Sequence, residues 1–377
     1  IVNKKTMTKG AGDVKRQVGA AARRRRPEEQ TMNTASDPYR ELAELKRGSA
    51  LFFAFEQARC LVAPDMGGRV FASLCGHSLH RIDLEAARRP DRPFNNFGGA
   101  NFWPAPEGGR FGFNYRGDEW MVQPAINAEP FRVGAADARA ADLQKPVALV
   151  NRAGTRVDAR MQRQFRLVPA PPEALRGFCL AGFLSYQTTD RFAVTNRVSA
   201  DAALLAAWTL EQFPGTDQTL SFGVVDRPRE ALNFDYYEHP GERIAYGPRG
   251  FTYRTDSQRK GQIGIRQAAG ARMIGWYDLS RRLLCLRENA SLPGGVYINI
   301  ADNEQTGGPF SAAGNYSLFN SDPDMGAFEL ETIGPMRVSG EWLEGSELIS
   351  LTTFACFETR RDLVRCMDRL LGPVPAA

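Results

Sequence analysis

The chain has 377 residues and a formal net charge of +5 at neutral pH, with the apolar, charged and Gly/Pro contents of an ordinary globular protein. No run approaches the roughly 18–20 apolar residues that span a bilayer, and no apolar signal-peptide core follows the basic start, so the expected location is cytoplasmic. The charge is concentrated in residues 1–36, where nine Lys/Arg face three acids; residues 37–377 sum to −1, which argues against a folded nucleic-acid reader with a basic face.

Residues 1–36 are polar and without periodicity, so a disordered tail is expected there. The Arg23–Arg26 run reads as solvated. The chain begins with Ile1, and Met32 just ahead of the first ordered-looking segment is the expected natural start. Asp37-Pro38 has the form of an N-cap followed by proline at the first helical position, predicting a short helix over 38–46 with Leu42 and Leu45 on one side. From there the chain reads as short strands broken by Gly, Pro, Asn and Asp, at 51–55, 59–63, 69–74, 192–198, 262–266, 272–277, 282–287, 295–300, 327–333 and 347–357. The Ala-rich stretch 135–141 reads as a loop or short helix. Leu363, Met367 and Leu370 fall at i, i+4, i+7 behind a Thr359–Asp362 capping box, predicting a C-terminal helix closed by Gly372-Pro373. With no alternating strand–helix pattern, a parallel α/β sheet is not expected. The fold class read from this pattern is all-β, a sandwich or barrel, with short N- and C-terminal helices, in one domain over 37–372 with 373–377 as a tail.

Nucleotide-binding, zinc-protease and serine-hydrolase signatures are absent. The three histidines, His77, His80 and His239, are little material for a zinc site or a catalytic triad, and His77 and His80 read as loop surface residues. No metal and no cofactor is expected. The six cysteines are scattered, which suits buried free thiols in a reducing compartment. The chemistry left is that of carboxylates, Arg/Lys, amides and aromatics, the palette of a sugar site: aromatic faces for the apolar side of the ring, polar groups for its hydroxyls.

Four segments carry that palette. Residues 95–110 interleave Asn101, Trp103, Glu107 and Arg110 with glycines and prolines; they are either a ligand-facing loop or a structural turn with Trp103 packed inward. In 208–215 strand alternation separates Trp208, Leu210 and Gln212 from Thr209 and Glu211; Trp208 is expected in the core, and Glu211 is a site candidate. In 253–264 Arg259 and Lys260 could grip an acidic sugar or simply be solvated. In 327–335 Glu329 and Glu331 share one strand face, with Cα atoms about 6.6 Å apart, while Phe328 and Leu330 take the other. Two adjacent carboxylates repel, so one pKa rises, which suits general acid–base work.

In order along the chain, Ala63-Pro64-Asp65-Met66-Gly67-Gly68-Arg69-Val70, the Gly-Gly, Trp, Pro-Glu-Gly-Gly run of 98–110, the 253–264 segment followed by Ile274-Gly275-Trp276-Tyr277-Asp278, and Phe328-Glu329-Leu330-Glu331-Thr332-Ile333-Gly334-Pro335 resemble the galactose mutarotase-like (aldose 1-epimerase-like) superfamily, in an uncharacterised branch. The resemblance implies a large antiparallel β-sandwich, the mutarotase-like supersandwich, with a concave sugar-binding face. Leu330-Glu331-Thr332 is similar to three positions of the epimerases' Leu-Glu-Thr-Gln motif, which implies that Glu331 is the base taking the anomeric hydroxyl proton. The family's acid is a His in Thr-Asn-His; here Thr195-Asn196-Arg197 puts Arg197 at that position, and arginine does not readily give up its proton. The readings are an epimerase using Glu331 with Glu329 nearby and another acid, a non-catalytic sugar-recognition domain, or a glycoside-processing enzyme pairing Glu329 or Glu331 with Glu107 or Glu211. The expected partner is a small-molecule sugar or sugar derivative, with no nucleic acid and no membrane; the oligomeric state is left open.

Overall fold

Strict in–out alternation marks the long strands. In Ala140–Val150 and Arg156–Val168 nearly every second residue is buried, as a half-buried antiparallel strand requires. The computed structural model describes residues 37–90, 94–234, 237–291, 296–298 and 314–373. Contacts divide the chain into 1–35 and 36–377, and every element below belongs to the second unit. The expectations for 1–36, including a start at Met32, and for 374–377 lie outside the described residues. So do residues 295, 299 and 300 of the strand expected at 295–300, within which Val296 bridges Met336.

The architecture is an all-β sandwich of two large antiparallel sheets. The first runs in the order Leu51–Phe55, Ala58–Ala63, Arg69–Leu74, Gly99–Ala105, Ala206–Pro214, Ala327–Ile333, Gly314–Asn320, Gly261–Arg266, Leu232–Asn233. The second runs Ile244–Gly247, Gly250–Arg254, Thr219–Val224, Met273–Asp278, Leu283–Asn289, Trp342–Phe357, Leu180–Val194, Arg156–Val168, Ala140–Val150, Arg132–Ala136. Phe53 against Phe165 (4.6 Å between ring centres) and Phe102 against Phe192 (4.8 Å) join the inner faces. The N-terminal helix Pro38–Leu45 is capped by Asp37, and the C-terminal helix Arg360–Leu371 by Thr359, which accepts from Asp362 N–H. Leu363, Cys366, Leu370 and Leu371 of that helix pack on Leu284, Leu286 and Phe357 of the second sheet.

Four expectations need correction. Within 95–110, read as a loop or turn, Gly99–Ala105 is a buried strand of the first sheet. The stretch 135–141 is the bend of a hairpin between strands Arg132–Ala136 and Ala140–Val150, because Asp137 turns the chain by accepting from Arg139 and Ala140 N–H. The strand expected at 192–198 is the end of Leu180–Val194, and residues 195–198 leave the sheet. His80 is buried, not a surface residue.

Polar groups pin the sheets together through the core. Arg163 reaches Asp190 with two nitrogens (2.6 and 3.1 Å) and crosses to the Gly68 and Ala100 carbonyls at 3.0 and 2.9 Å. Glu211 meets His80 at 2.9 Å, Thr352 at 3.1 Å, the Tyr186 hydroxyl and the Arg287 guanidinium. Burial alone would push the Glu211 carboxyl up, but Arg287, with His80 and Tyr186, holds it down at about 2. A buried network of this kind fixes the pairing of the layers only because its members are mutually satisfied.

Candidate functional site

The site lies on the other face of the first sheet. Along strand Ala327–Ile333, Phe328 and Leu330 enter the core, so Glu329 and Glu331 must turn the opposite way. Register then decides their neighbours. Leu210 and Gln212 stand opposite Glu331 and Glu329 on one side; Ser317 and Phe319 stand opposite them on the other; Gln262 lies one strand further, opposite Phe319. Trp103 faces Trp208, and Asn101 faces Leu210.

Gly98 and Gly99 allow strand Gly99–Ala105 to sit there. Both have positive φ (+83° and +73°); a Cβ on Gly98 would lie 2.0 Å from the Arg81 carbonyl oxygen, and one on Gly99 2.8 Å from that of Val70. Arg69 then fastens the strand, donating to Gly98 O at 2.8 Å and to Asn101 Oδ1 at 2.9 Å.

These side chains line a cavity of about 350 Å³. Trp103 and Trp208 meet edge to face with ring centres 6.2 Å apart. Phe94 packs edge-on to Trp103 and to Trp120, at 5.7 and 5.4 Å. Trp120 comes from the small hairpin Tyr115–Arg116/Glu119–Trp120, and its indole N–H donates to Glu107 Oε1 at 3.0 Å. Lys260 Nζ stands 5.9 Å from the centre of the Tyr237 ring. Gln212 Nε2 donates to Glu329 Oε1 at 2.7 Å; Gln262 Nε2 lies 3.0 and 2.9 Å from the two Glu331 oxygens and 3.0 Å from Ser317 Oγ.

Glu329 and Glu331 are 5% and 2% exposed. Burial pushes the Glu329 carboxyl up to about 7, Gln212 opposing and the Glu107 charge adding to the rise. Burial drives Glu331 well above the usual carboxylate range, helped by the charges of Glu329 and Glu107 and opposed by Trp208 and Ser317. Burial also raises Glu107, against the pull of Trp120 and Lys260. Because the two strand carboxyls interact, they titrate as a pair, and near neutral pH the pair holds a proton that it can give or a site that can take one.

The cavity brings together Glu329, Glu331, Asn101, Trp103, Glu107 and Lys260. Four expected site residues lie elsewhere. Glu211 is on the core face of its strand, held between the sheets, so it cannot reach a ligand in the cavity or pair with Glu329 or Glu331 across one. Arg197 is exposed on the loop that follows Leu180–Val194, its guanidinium 4.0 Å from the centre of the Trp342 ring. Arg110 is exposed over Phe111 and borders a separate surface depression with Asp118 and Arg152. Arg259 points to solvent, 3.5 Å from Glu238. Trp208, expected in the core, is buried but lines the cavity. Gln212, Gln262 and Trp120 were not picked out from the sequence. Strand alternation could have found Gln212, which shares a face with Trp208; Gln262 is placed by strand pairing across distant parts of the chain, and Trp120 by a local hairpin whose indole packs on Phe94.

A second depression of about 290 Å³ lies on the outer face of the second sheet, among Asp142, Gln144, Gln162, Gln164, Thr189, Arg191 and Glu347. It has no aromatic side chain in its lining. Among the described residues no group of three His, Cys, Asp or Glu is set to hold a metal ion, and no helix is long and apolar enough to cross a membrane.

Fold and site together define a two-sheet antiparallel sandwich with an aromatic-walled, carboxyl-bearing cavity on the outer face of one sheet. The chain belongs to DUF6786, a family of unknown function whose profile matches residues 41–341. Solved structures similar to it include a candidate aldose 1-epimerase from Escherichia coli K12, at 12% identity and a TM-score of 0.48 over 81% of this chain and 98% of that one. A galactose mutarotase-like protein from Lactobacillus casei is 10% identical, with a TM-score of 0.48 over 81% and 99% of the two chains. The GalM/aldose epimerase homologue from C. elegans is 8% identical, with a TM-score of 0.42 over 82% and 100%. No curated protein matches the sequence.

Proposed function

We propose that the cavity binds a carbohydrate and that the protein acts on it as an aldose 1-epimerase-like isomerase, with Glu331 in the role of general base at the anomeric centre. One observation carries the reading: indole rings of Trp103 and Trp208 stand beside two carboxyls that are each gripped by a side-chain amide, inside a single cavity. Flat aromatic faces suit the C–H side of a sugar ring, and the polar groups beside them suit its hydroxyls. Three carboxyls in the lining favour neutral sugars over phosphorylated or carboxylated ones.

The competing reading is sugar recognition without turnover. The observation favouring it is that the cavity lining includes no histidine, and that Arg197, in the motif position of the family's acid, stands on a surface loop. All six cysteines are free, which supports a reducing, cytoplasmic setting.

Ligand-observed NMR of the full chain with neutral aldoses, uronic acids and sugar phosphates tests the binding. The expected result is line broadening by neutral aldoses, weakened about tenfold or more by Trp103→Ala and unaffected by Arg197→Ala. Absence of broadening across the panel, or binding indifferent to Trp103, removes the reading.

A further inference from the structure

The side-by-side placement of Glu329 and Glu331 has a chemical consequence that a single general base does not. Both carboxyls leave the same face of strand Ala327–Ile333, two residues apart. Each is steadied from a different neighbour: Glu329 by Gln212 of strand Ala206–Pro214, Glu331 by Gln262 of strand Gly261–Arg266 with Ser317 between. Both are buried against an indole wall, in the one cavity. Hydrolysis of a glycosidic bond uses carboxyls that flank it from two sides, about 5–5.5 Å or 6.5–9.5 Å apart. Glu329 and Glu331, on one strand face, approach from one side only, and Glu107, the third carboxyl of the lining, is engaged by the Trp120 indole N–H at 3.0 Å. The two strand carboxyls match instead a substrate whose two reacting oxygens sit on one carbon, which is the hemiacetal carbon of a reducing sugar.

We propose that Glu329 and Glu331 work as one proton-sharing pair that opens and recloses the hemiacetal ring of a neutral reducing aldose, the second carboxyl of the pair taking the part that no histidine in the lining can take. The proposal rests on the carbohydrate reading above. In the opening step the ionised member of the pair takes the proton from the anomeric hydroxyl. The C1–O bond of the ring breaks as C1=O forms, and the ring oxygen takes the proton of the protonated member. The pair still carries one proton. Rotation about C1–C2 presents the other carbonyl face, and the reverse transfers close the ring as the second anomer. A glycoside has no anomeric hydroxyl proton to give, so it can occupy the cavity without reacting. The raised proton affinity of both carboxyls is consistent with a single shared proton at neutral pH. The charged groups facing the pair are Glu107 from the loop after strand Gly99–Ala105, Arg69, Arg81 and Lys260.

The test follows anomer exchange and ligand broadening together, by NMR of the full chain with D-glucose, D-galactose and their methyl glycosides. The expected result is exchange of the free sugars above the uncatalysed rate, with a rate that rises and then falls with pH. Glu329→Gln and Glu331→Gln each lower the exchange about 10²–10⁴-fold while broadening persists; Glu329→Asp restores part of it, and Arg197→Ala changes nothing. Near-ultraviolet circular dichroism of each variant checks that it is folded. Exchange within tenfold of the parent in folded Glu329→Gln, or binding of free sugars with no exchange at any pH, overturns the pair and leaves the binding reading standing. No broadening by any sugar removes both.

Discussion

Glu329 and Glu331 are carboxyls placed where ionisation is costly, and the folded chain responds by holding their protons more tightly than the unfolded chain does. Burial raises Glu329 to about 7 from its ordinary 4.5. A group whose folded pKa is raised stabilises the fold fully below its unfolded pKa, and that contribution is lost as pH rises through the folded value. Between pH 5 and pH 8 the parent therefore loses stability through this pair, and Glu329→Gln, which cannot ionise there, loses less. We expect the thermal-melting difference between variant and parent to move in the variant's favour as pH rises, by about 1–3 kcal/mol. Parallel melting curves across that range would contradict a raised Glu329. Glu211 has the opposite sign: held down at about 2 by Arg287 despite its burial, it contributes stability that is lost as pH falls from its unfolded value towards 2.

At the scale of elements, the first sheet supplies Glu329, Glu331, Trp103 and Trp208, and the segments flanking strand Gly99–Ala105 add Phe94, Glu107 and Trp120. The hairpin carrying Trp120 ties those flanking segments together, because its indole both donates to Glu107 and packs on Phe94. Trp120 is 42% exposed, so Trp120→Ala should leave the melting temperature nearly unchanged, within about 0.5 kcal/mol. It should weaken sugar binding about tenfold by releasing Glu107 and one aromatic face. Calorimetric titration beside a melting curve checks both halves, and unchanged affinity would show the hairpin to be a bystander. This is also the scale at which legibility in the sequence divides. The strand Ala327–Ile333 was readable to its ends, and the outward pair with it, since Phe328 and Leu330 alternate with two acids. Trp208 packs in the core as its sequence setting predicts and also edges the cavity, a double role that burial alone does not reveal because both faces of its strand are buried. Gln262 could not be found as the partner of Glu331: that contact depends on a pairing order joining residues 69 apart in sequence. Arg197 was drawn to the site by a three-residue motif, but its strand stops at Val194 and Thr195 bonds to the Asp158 carbonyl at 2.8 Å.

Across the whole molecule, the two faces of the first sheet do different work. The inner face is braced to the second sheet by Arg163 and Glu211 with their partners, and the outer face carries Glu329 and Glu331 in a cavity. The second sheet's own outer depression offers amides, an arginine and acids but no aromatic surface, so a ring-shaped polar ligand has two possible seats of very different character. A crystal structure of the full chain soaked with D-galactose decides between them. The expected result is a sugar ring lying against Trp103 and Trp208, with its anomeric carbon facing Glu329 and Glu331. A ring seated instead among Gln144, Gln162, Arg191 and Glu347, or a cavity that stays free of sugar at saturating concentration, would contradict it.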